Sequence, residues 1–389
     1  MVKLALNFIC KNEAHVINKM LESAKTITDL IVVNDTGSTD GTQDLIKKFG
    51  QENNIPTYVF ERPFDDFEKS RNHAMQKLRE VVSELGWDAT QTYGYWFDCD
   101  ETVVLDSKFN KEQFVNDLYM INAYIGSMKY TRNTFFRVSK PFRFYGPIHE
   151  FIVCDEQITS GHAENIHIDV KMIGASWQGD VSAKYLSHAH ILEKYINNDR
   201  SDPRWIFYTA QSYHDSANGQ NKEEADERLR RSLKYYRERT QRSDGYLEEI
   251  YYSQFRVGTI MRALEEPWNL THQELLKAYA MDPIRGESIK VIIDYYLQMG
   301  EFNLAYLYSK FAKLNFHGKN PYPTRVLFVD ESLYVWKFLE AHAAACFYIG
   351  KMEEAKSTFN EILNIMKTQP QHFTQEDLQK IATNGKFFQ

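Results

Sequence analysis

This sequence lacks several features that would place it in a common functional class. Its 389 residues contain only four cysteines, and no two of them form a Cys-x-x-Cys pair. Scattered cysteines predict neither a zinc site nor a disulfide framework, and reduced thiols fit a cytosolic protein. Dinucleotide-binding Gly-x-Gly-x-x-Gly loops, Walker loops and Gly-x-Ser-x-Gly elbows are also absent. Kinases, nicotinamide-dependent dehydrogenases and serine hydrolases therefore have no motif here.

Long apolar runs and an excess of basic charge are missing too. No apolar stretch approaches the ~18 residues of a transmembrane helix, and the apolar run at the N-terminus is too short for a signal peptide. The net charge is −7, whereas non-specific nucleic-acid binders carry a basic surplus. We therefore expect a soluble cytoplasmic protein without a membrane span, and a chain of this length suits two domains.

The first hundred residues alternate short apolar runs with helical patterns. The predicted strands cover residues 4–10, 30–33, 57–60 and 93–97. This alternation is typical of a parallel sheet with helices on both faces, in which ligands bind beyond the carboxyl ends of the strands. The polar residues that follow the predicted strands are Asn12, Asp35, Arg62 and Asp98. The sequence therefore predicts an α/β domain with its site at this edge.

Two acids one residue apart, Asp98 and Asp100, follow the fourth predicted strand. A divalent cation held by carboxylate oxygens can neutralise the charge that grows on a diphosphate leaving group. Acid-x-acid pairs also arise by chance, about seven times in a chain of this composition, so the spacing alone is weak evidence. The position at a strand end favours a function over a solvated acidic loop.

Four motifs in order resemble family 2 glycosyltransferases of the GT-A fold. They are Asn-Phe-Ile-Cys-Lys-Asn-Glu at 7–13, Ile-Val-Val-Asn-Asp-Thr-Gly-Ser-Thr-Asp-Gly-Thr at 31–42, Phe-Asp-Asp-Phe-Glu-Lys-Ser-Arg-Asn-His-Ala at 64–74, and Tyr-Trp-Phe-Asp-Cys-Asp-Glu at 95–101. The resemblance covers roughly residues 1–150. It implies a nucleoside diphosphate sugar as donor, with a UDP-sugar favoured, and Mn²⁺ or Mg²⁺ as cofactor. It also implies roles for single residues.

The resemblance assigns these roles by position. Asp35 would bind the nucleotide base, Arg71 would stand near the pyrophosphate, and Asp98 would hold the ribose. Two of them have a structural alternative: Asp35 as a turn-former and helix cap, and Arg71 as an exposed helical arginine. Glu13 could simply favour the helix dipole. The full nucleotide-sugar-binding set is Asn12, Glu13, Asp35, Arg71 and Asp98, with Asp100 as the metal ligand.

The catalytic base is assigned to a later motif. An inverting transfer needs a group that takes the acceptor's proton, and Gly-Pro-Ile-His-Glu at 146–150 resembles acceptor-side segments of several relatives. Glu150 is the candidate base, and His149 is a candidate metal ligand or a residue that orients Glu150. The motif departs from relatives with a separate Glu-Asp base, so Asp100 and Glu101 stay open as alternatives.

The second half of the chain reads as successive helices. Gly300 and Gly350 each end an aromatic helix pattern, and the segments around them are imperfect copies that resemble tetratricopeptide units. We expect a GT-A domain over 1–180, a hinge near residues 177–180, and an all-α tetratricopeptide-like domain over 181–389. The pair His188 and His190 cannot share a metal on one helix, although either could fold back over the donor.

Two functions remain open on the sequence alone. The first is metal-dependent transfer of a sugar to an acceptor, which could be a peptide, a glycan or a modified nucleobase. The second is a degenerate transferase whose helical repeats serve as a protein-binding scaffold, since repeat grooves commonly hold peptides. The intact acids Asp35, Asp98 and Asp100 favour the first. The helical domain is also a candidate surface for homo-oligomer formation.

Overall fold

The N-terminal part of the chain forms a mixed β-sheet. The computed structural model describes residues 1–126, 128–175 and 179–387, so Trp177 and Gln178 of the expected hinge lie outside the described residues. The strands are β1 (Lys3–Cys10), β2 (Leu30–Asp35), β3 (Thr57–Glu61), β4 (Thr92–Tyr95), β5 (Glu101–Leu105), β6 (Leu118–Ile125), β7 (Met128–Arg137), β8 (Arg143–Tyr145), β9 (Phe151–Val153) and β10 (Ser160–Val170). The main sheet has the order β3-β2-β1-β4-β7-β6-β10-β5, and β8 pairs with β9 separately.

The first four strands are parallel to one another, as their alternation with helices predicts. The antiparallel pairs of β4 with β7 and of β5 with β10 extend this sheet. Side chains alternate along β1, so that Leu4, Leu6 and Phe8 enter one core and Ala5 enters the other. The helices that cover the sheet are α1 (Ile17–Ala24), α2 (Thr42–Asn53) and α3 (Phe67–Glu84). Because the sheet is buried on both faces, its polar groups concentrate at the strand ends.

The rest of the chain is helical. The helices are α4 (Val181–Asn198), α5 (Pro203–Ser216), α6 (Lys222–Thr240), α7 (Leu247–Ala263), α8 (Trp268–Met281), α9 (Glu287–Gln298), α10 (Phe302–Asn315), α11 (Phe338–Tyr348), α12 (Met352–Thr368) and α13 (Gln375–Asn384). From α5 to α12 each helix packs against the next. This includes α10 and α11, although a loop and a π-helical turn separate them along the chain. The predicted fold class, an α/β domain of the GT-A kind followed by an all-α domain, is confirmed.

The two imperfect sequence copies adopt the same turn. Gly300 and Gly350 have φ angles of +73° and +79°, a region that glycine enters without steric cost. After each glycine, the next residue's amide donates to a carbonyl in the last turn of the preceding helix, Tyr296 in one copy and Cys346 in the other. The two copies therefore share the same backbone turn. Their similarity to tetratricopeptide repeats stays a prediction.

The chain divides into two compact units. The first comprises residues 1–125 and 130–195, and the second comprises residues 126–129 and 196–389. The first unit thus keeps most of α4, which the expected boundary after residue 180 assigns to the helical domain. Among the described residues, none of the helices combines the length and the apolar character that a membrane crossing requires.

Candidate active site

The loops that follow β1 and β2 are joined by Asn12. Its backbone amide donates to Ser38 Oγ at 2.9 Å, and its side-chain Oδ1 accepts from the Thr39 amide at 2.9 Å. Asn12 has φ +56°, a left-handed conformation that asparagine tolerates better than most residues. The side chain therefore fixes the shape of the strand-end edge, and its predicted contact with the nucleotide stays a prediction.

Asp35 ends β2 and is fully buried. Its Oδ1 accepts from the amides of Gly37 and Ser38 at 2.9 and 2.8 Å and from the Gln43 amide group at 3.1 Å, while the Cys10 thiol donates to Oδ2 at 3.3 Å. Burial opposes ionisation, but these hydrogen bonds outweigh it and hold the pKa of Asp35 below its usual value. Asp35 thus acts here as a turn-former, and its predicted role in binding the base stays a prediction.

Arg71 brings three predicted site residues together. It lies on α3, whose first turn is capped by the Asp66 side chain, and it is buried. Its Nη2 donates to Asp98 Oδ1 at 2.8 Å, and its Nε donates to Glu150 Oε1 at 2.5 Å. The alternative of an exposed helical arginine is therefore wrong. A helix, a strand end and a loop more than fifty residues further along the chain meet at one guanidinium group.

The sequence prediction missed a second arginine, Arg132 of β7. Its guanidinium forms a bidentate pair with Glu101 at 2.8 and 2.7 Å, and its Nη1 lies 3.8 Å from Asp98 Oδ2. The Trp96 ring centre lies 3.9 Å from the guanidinium carbon of Arg132 and 4.5 Å from that of Arg71. Arg132 has no local motif, and only the pairing of β7 with β4 brings it here.

Glu101 was an alternative candidate for the base, and its surroundings disfavour that role. Its carboxylate is buried, pairs with Arg132 through both oxygens, and also accepts from the Asp98 amide at 2.9 Å. These contacts leave little space for an acceptor to approach. Glu101 therefore fixes the Arg132 guanidinium and the backbone of Asp98 in position.

The pKa values of the two carboxyl groups that flank Arg71 are displaced in opposite directions. Burial opposes ionisation of Asp98, but Arg71 and Arg132 outweigh it and hold the pKa of Asp98 below its usual value. Burial raises the pKa of Glu150, and the nearby Arg71 only partly offsets it. The Asp98 side chain is 46% exposed and that of Glu150 is 9% exposed. Carboxylates with pKa values displaced in opposite directions suit different roles in one reaction.

Asp100 and Glu13 form an acidic cluster beneath the segment that follows β10. Asp100 Oδ2 accepts from the amides of Ile173 and Gly174, both at 3.0 Å, and the Glu13 carboxylate accepts from the Ala175 amide. Within the described residues no hydrogen bond reaches Asp100 Oδ1. Burial, together with the charges of Asp100 and Asp98, raises the pKa of Glu13 to about 6 against the Ala175 hydrogen bond.

Helix α4 places His188 beside His149. Their ring centroids lie 6.4 Å apart, and His149 has φ +55°. Burial and the neighbouring Lys184 lower the pKa of His188 to about 4, so the imidazole is neutral at pH 7. Lys184 also feels the charge of Asp100, although burial lowers its pKa. His190 is exposed. Of the two histidines, only His188 folds back toward the predicted site.

A comparison with known protein families identifies the segment that carries the strand-end residues. Residues 8–103 match the family model Glycosyl transferase family 2. This segment is a glycosyl transferase family 2 domain. The resemblance stated from the four motifs is therefore confirmed. The match contains the predicted binding residues and Asp100, whereas His149 and Glu150 lie beyond it.

Curated relatives of the family 2 domain extend past the matched segment. The SPbeta prophage-derived glycosyltransferase SunS of Bacillus subtilis (strain 168) and Glycosyltransferase SunS of Bacillus phage SPbeta are each 25% identical over 252 residues, which is 60% of this chain and 54% of theirs. This chain spans about half the length of these curated relatives. They carry the name of glycosyltransferases, as the domain family does.

Solved structures show a looser likeness. S. aureus TarS residues 1–349 matches with a TM-score of 0.34 and 13% identity over 69% of this chain and 92% of that one. The same fragment in complex with UDP matches with a TM-score of 0.33 and 12% identity, again over 69% and 92%. A longer TarS chain matches at 0.34 and 11% identity over 72% of this chain and 54% of its own.

Proposed function

We propose that this protein is a metal-dependent glycosyltransferase that moves a sugar, with inversion, from a nucleoside diphosphate donor, a UDP-sugar in the first instance, to an acceptor nucleophile. The observation that carries the proposal is the junction at Arg71, which pairs with Asp98 of the family 2 domain and with Glu150 beyond it. A cationic group between a donor-side acid and an acceptor-side acid suits a reaction in which a diphosphate leaves and a nucleophile arrives.

Mn²⁺ or Mg²⁺ fits the acidic cluster at the strand ends. Asp100 and Glu13 offer only oxygen ligands, which hard divalent cations prefer, and Asp98 is near enough to raise the pKa of Glu13. Mutual repulsion among these acids is what a bound cation would relieve. Asp100 would hold the ion, with Glu13 beside it. When bound, the ion supplies neutralisation of the charge on the departing diphosphate.

Glu150 would act as the base. As the acceptor forms its bond to the anomeric carbon and the bond to the diphosphate oxygen breaks, the acceptor's proton passes to the Glu150 carboxylate. The raised pKa of Glu150 suits this transfer, and the hydrogen bond from Arg71 fixes the orientation of the carboxylate. His149 would bind the metal or orient Glu150. The acceptor class, whether peptide, glycan or modified nucleobase, stays a prediction, as do cytoplasmic location and homo-oligomer formation.

Calorimetric titration of UDP tests the proposal. The wild-type protein is expected to bind UDP at least tenfold more tightly with Mn²⁺ than with chelator, and Asp100→Asn is expected to lose that gain. Asp106→Asn is the matched control, since Asp106 is an exposed turn residue outside the cluster. Equal affinity with and without metal would refute the metal site. Folded protein that binds no nucleoside diphosphate would refute the whole proposal and favour the scaffold alternative.

A further inference from the structure

Three side chains that commonly bind zinc meet in the helical part of the chain. His342 and Cys346 lie one turn apart on α11, and Glu354 projects from α12. Cys346 Sγ lies 3.5 Å from His342 Nε2, and Glu354 Oε1 lies 3.0 Å from the same nitrogen. The imidazole is 1% exposed, whereas the Glu354 side chain is 36% exposed. The cluster is therefore reached from solvent on the Glu354 side alone.

The hydrogen bonds around His342 indicate which of its nitrogens carries the proton. Ser309 Oγ lies 3.0 Å from His342 Nδ1 and donates to the Tyr306 carbonyl at 3.1 Å. A hydroxyl has one proton, so when Ser309 donates to that carbonyl it accepts from the ring, and Nδ1 carries the ring proton. The lone pair of Nε2 then faces the Glu354 carboxylate and the Cys346 sulfur. This is the tautomer that a metal-binding histidine adopts when its second nitrogen is held by a hydrogen bond.

In that tautomer the Nε2 lone pair and a Glu354 carboxylate oxygen lie 3.0 Å apart, and a proton or a metal ion between them would offset their repulsion. A second proton on the ring would do so, but it would place an imidazolium in a side chain that is almost completely buried. A metal ion satisfies the nitrogen, the sulfur and the oxygen together.

The distances and charges suit zinc. Tetrahedral Zn²⁺ with bonds of about 2.0 Å to nitrogen and oxygen and about 2.3 Å to sulfur separates its ligands by about 3.3 Å (N to O) and about 3.5 Å (N to S). The observed separations are 3.0 and 3.5 Å, so a small outward shift of the carboxylate would admit the ion. A thiolate and a carboxylate together balance the charge of Zn²⁺. The other carboxylate oxygen, Oε2, is already held by the Tyr306 hydroxyl at 3.1 Å and lies 3.9 Å from Lys351.

The equivalent positions in the other repeat copy show that packing does not require these side chains. Residues fifty positions earlier are Ile292, Tyr296 and Leu304, none of which is a usual zinc ligand. We propose that His342 Nε2, Cys346 Sγ and Glu354 Oε1 form a zinc site that braces α11 against α12, with the fourth position open to a solvent ligand. This departs from the expectation of no zinc site, because a single cysteine one helical turn from a histidine has no recognised sequence signature.

Cobalt substitution tests the site without reference to sugar transfer. The full chain, carrying Asp100→Asn to remove the cation site proposed above, is stripped with a chelator and titrated with Co²⁺. One equivalent is expected to produce the near-ultraviolet charge-transfer band of a cobalt thiolate, and added Zn²⁺ should displace it. The band should disappear in Cys346→Ser and persist in the matched control Cys154→Ser.

A second variant protects the test against misfolding. If Cys346→Ser does not fold, Glu354→Gln changes only a half-exposed group and should weaken Co²⁺ binding about tenfold while the band keeps its thiolate character. Folded protein without a thiolate band would overturn the proposal, as would a band that survives Cys346→Ser or an affinity that Glu354→Gln leaves unchanged. Each of these results is independent of whether the protein transfers a sugar.

Discussion

Buried arginines occur in both units of this protein, and their partners differ. In the helical unit, Arg285 is completely buried and donates to Glu287 and to the carbonyls of Leu327 and Phe328. In the α/β unit, Arg71 donates to two carboxylates, one of which belongs to the 46% exposed side chain of Asp98. Carbonyl partners fix a fold, whereas a carboxylate at an open strand edge can exchange partners with a ligand. The kind of hydrogen-bond acceptor, more than the degree of burial, distinguishes the structural arginine from the functional one.

Arg239 extends the comparison. It lies in the helical unit, is completely buried, and donates to the carbonyls of Arg242 and Tyr246 as well as to Glu249. Its environment repeats that of Arg285, so the carbonyl-bound arrangement occurs at two positions of this unit. Changing Arg71 or Arg132 in the α/β unit should impair catalysis, whereas changing Arg239 or Arg285 in the helical unit should reduce stability.

The largest effect is expected from Glu150→Gln. The glutamine keeps the shape of the side chain and an oxygen that can accept from Arg71, but it cannot take a proton, so turnover should fall about 100-fold to 10,000-fold. UDP binding and melting temperature should change little. The measurement is UDP release from a panel of UDP-sugars, with the exposed Glu156→Gln as control. Retained turnover in Glu150→Gln would rule out Glu150 as the base and would contradict the functional role assigned to the Arg71 junction.

Arg285→Met tests the structural side. It leaves Glu287 and the neighbouring Glu248 without their buried partner, so the free energy of unfolding should fall by about 3–5 kcal/mol. Arg230→Met is the control, because its pair with Glu266 is exposed and should contribute less than about 1 kcal/mol. Urea denaturation measures both. If Arg285→Met and Arg230→Met lose similar stability, the buried Arg285 does not have the structural role assigned to it.

The sequence pattern predicted the fold class and the strand-end position of Asp98 for a physical reason, whereas Arg71 came from the resemblance of its motif. Parallel strands bring their carboxyl ends to one edge, so residues that follow strands, such as Asp98, meet there whatever their separation along the chain. The position of Glu150 came instead from the resemblance of its motif. Local patterns could not reveal Arg132, because its place depends on the antiparallel pairing of β7 with β4.

Other features depend on packing that no local pattern encodes. Asp35 follows a strand as predicted, yet its carboxylate is taken up by the amides of its own turn. His342 and Glu354 meet only because α11 packs against α12. Strand-end position therefore predicts which side chains share an edge, and it does not predict which of them still face a ligand.

A pH profile should sharpen the comparison further. Because burial raises the pKa of Glu150, falling pH protonates this group sooner than an ordinary carboxyl, whose pKa is about 4.3. With Glu150 as the base, activity should therefore fall about tenfold per pH unit below its raised pKa. Protonation of Glu13, whose pKa is about 6, also competes with metal. Saturating Mn²⁺ should move only the loss of activity caused by Glu13 protonation to lower pH. Profiles of kcat/KM measured at two Mn²⁺ concentrations therefore separate the effect of Glu13 from that of Glu150. A profile flat down to about pH 4 would contradict both assignments.

Arg132→Lys is expected to have the smallest effect. Lysine keeps the positive charge near Asp98 but cannot form the bidentate pair with Glu101, whose carboxylate also accepts from the Asp98 amide. Asp98 should then be less well positioned, and the KM for donor should rise about fivefold, a change of roughly 1 kcal/mol. The matched control is Arg137→Lys, on the same strand, where the arginine pairs with Asp117. That variant should lose stability with KM unchanged. If both lysine variants raise KM equally, the effect belongs to the strand and not to the support of Asp98, and Arg132 joins the structural arginines.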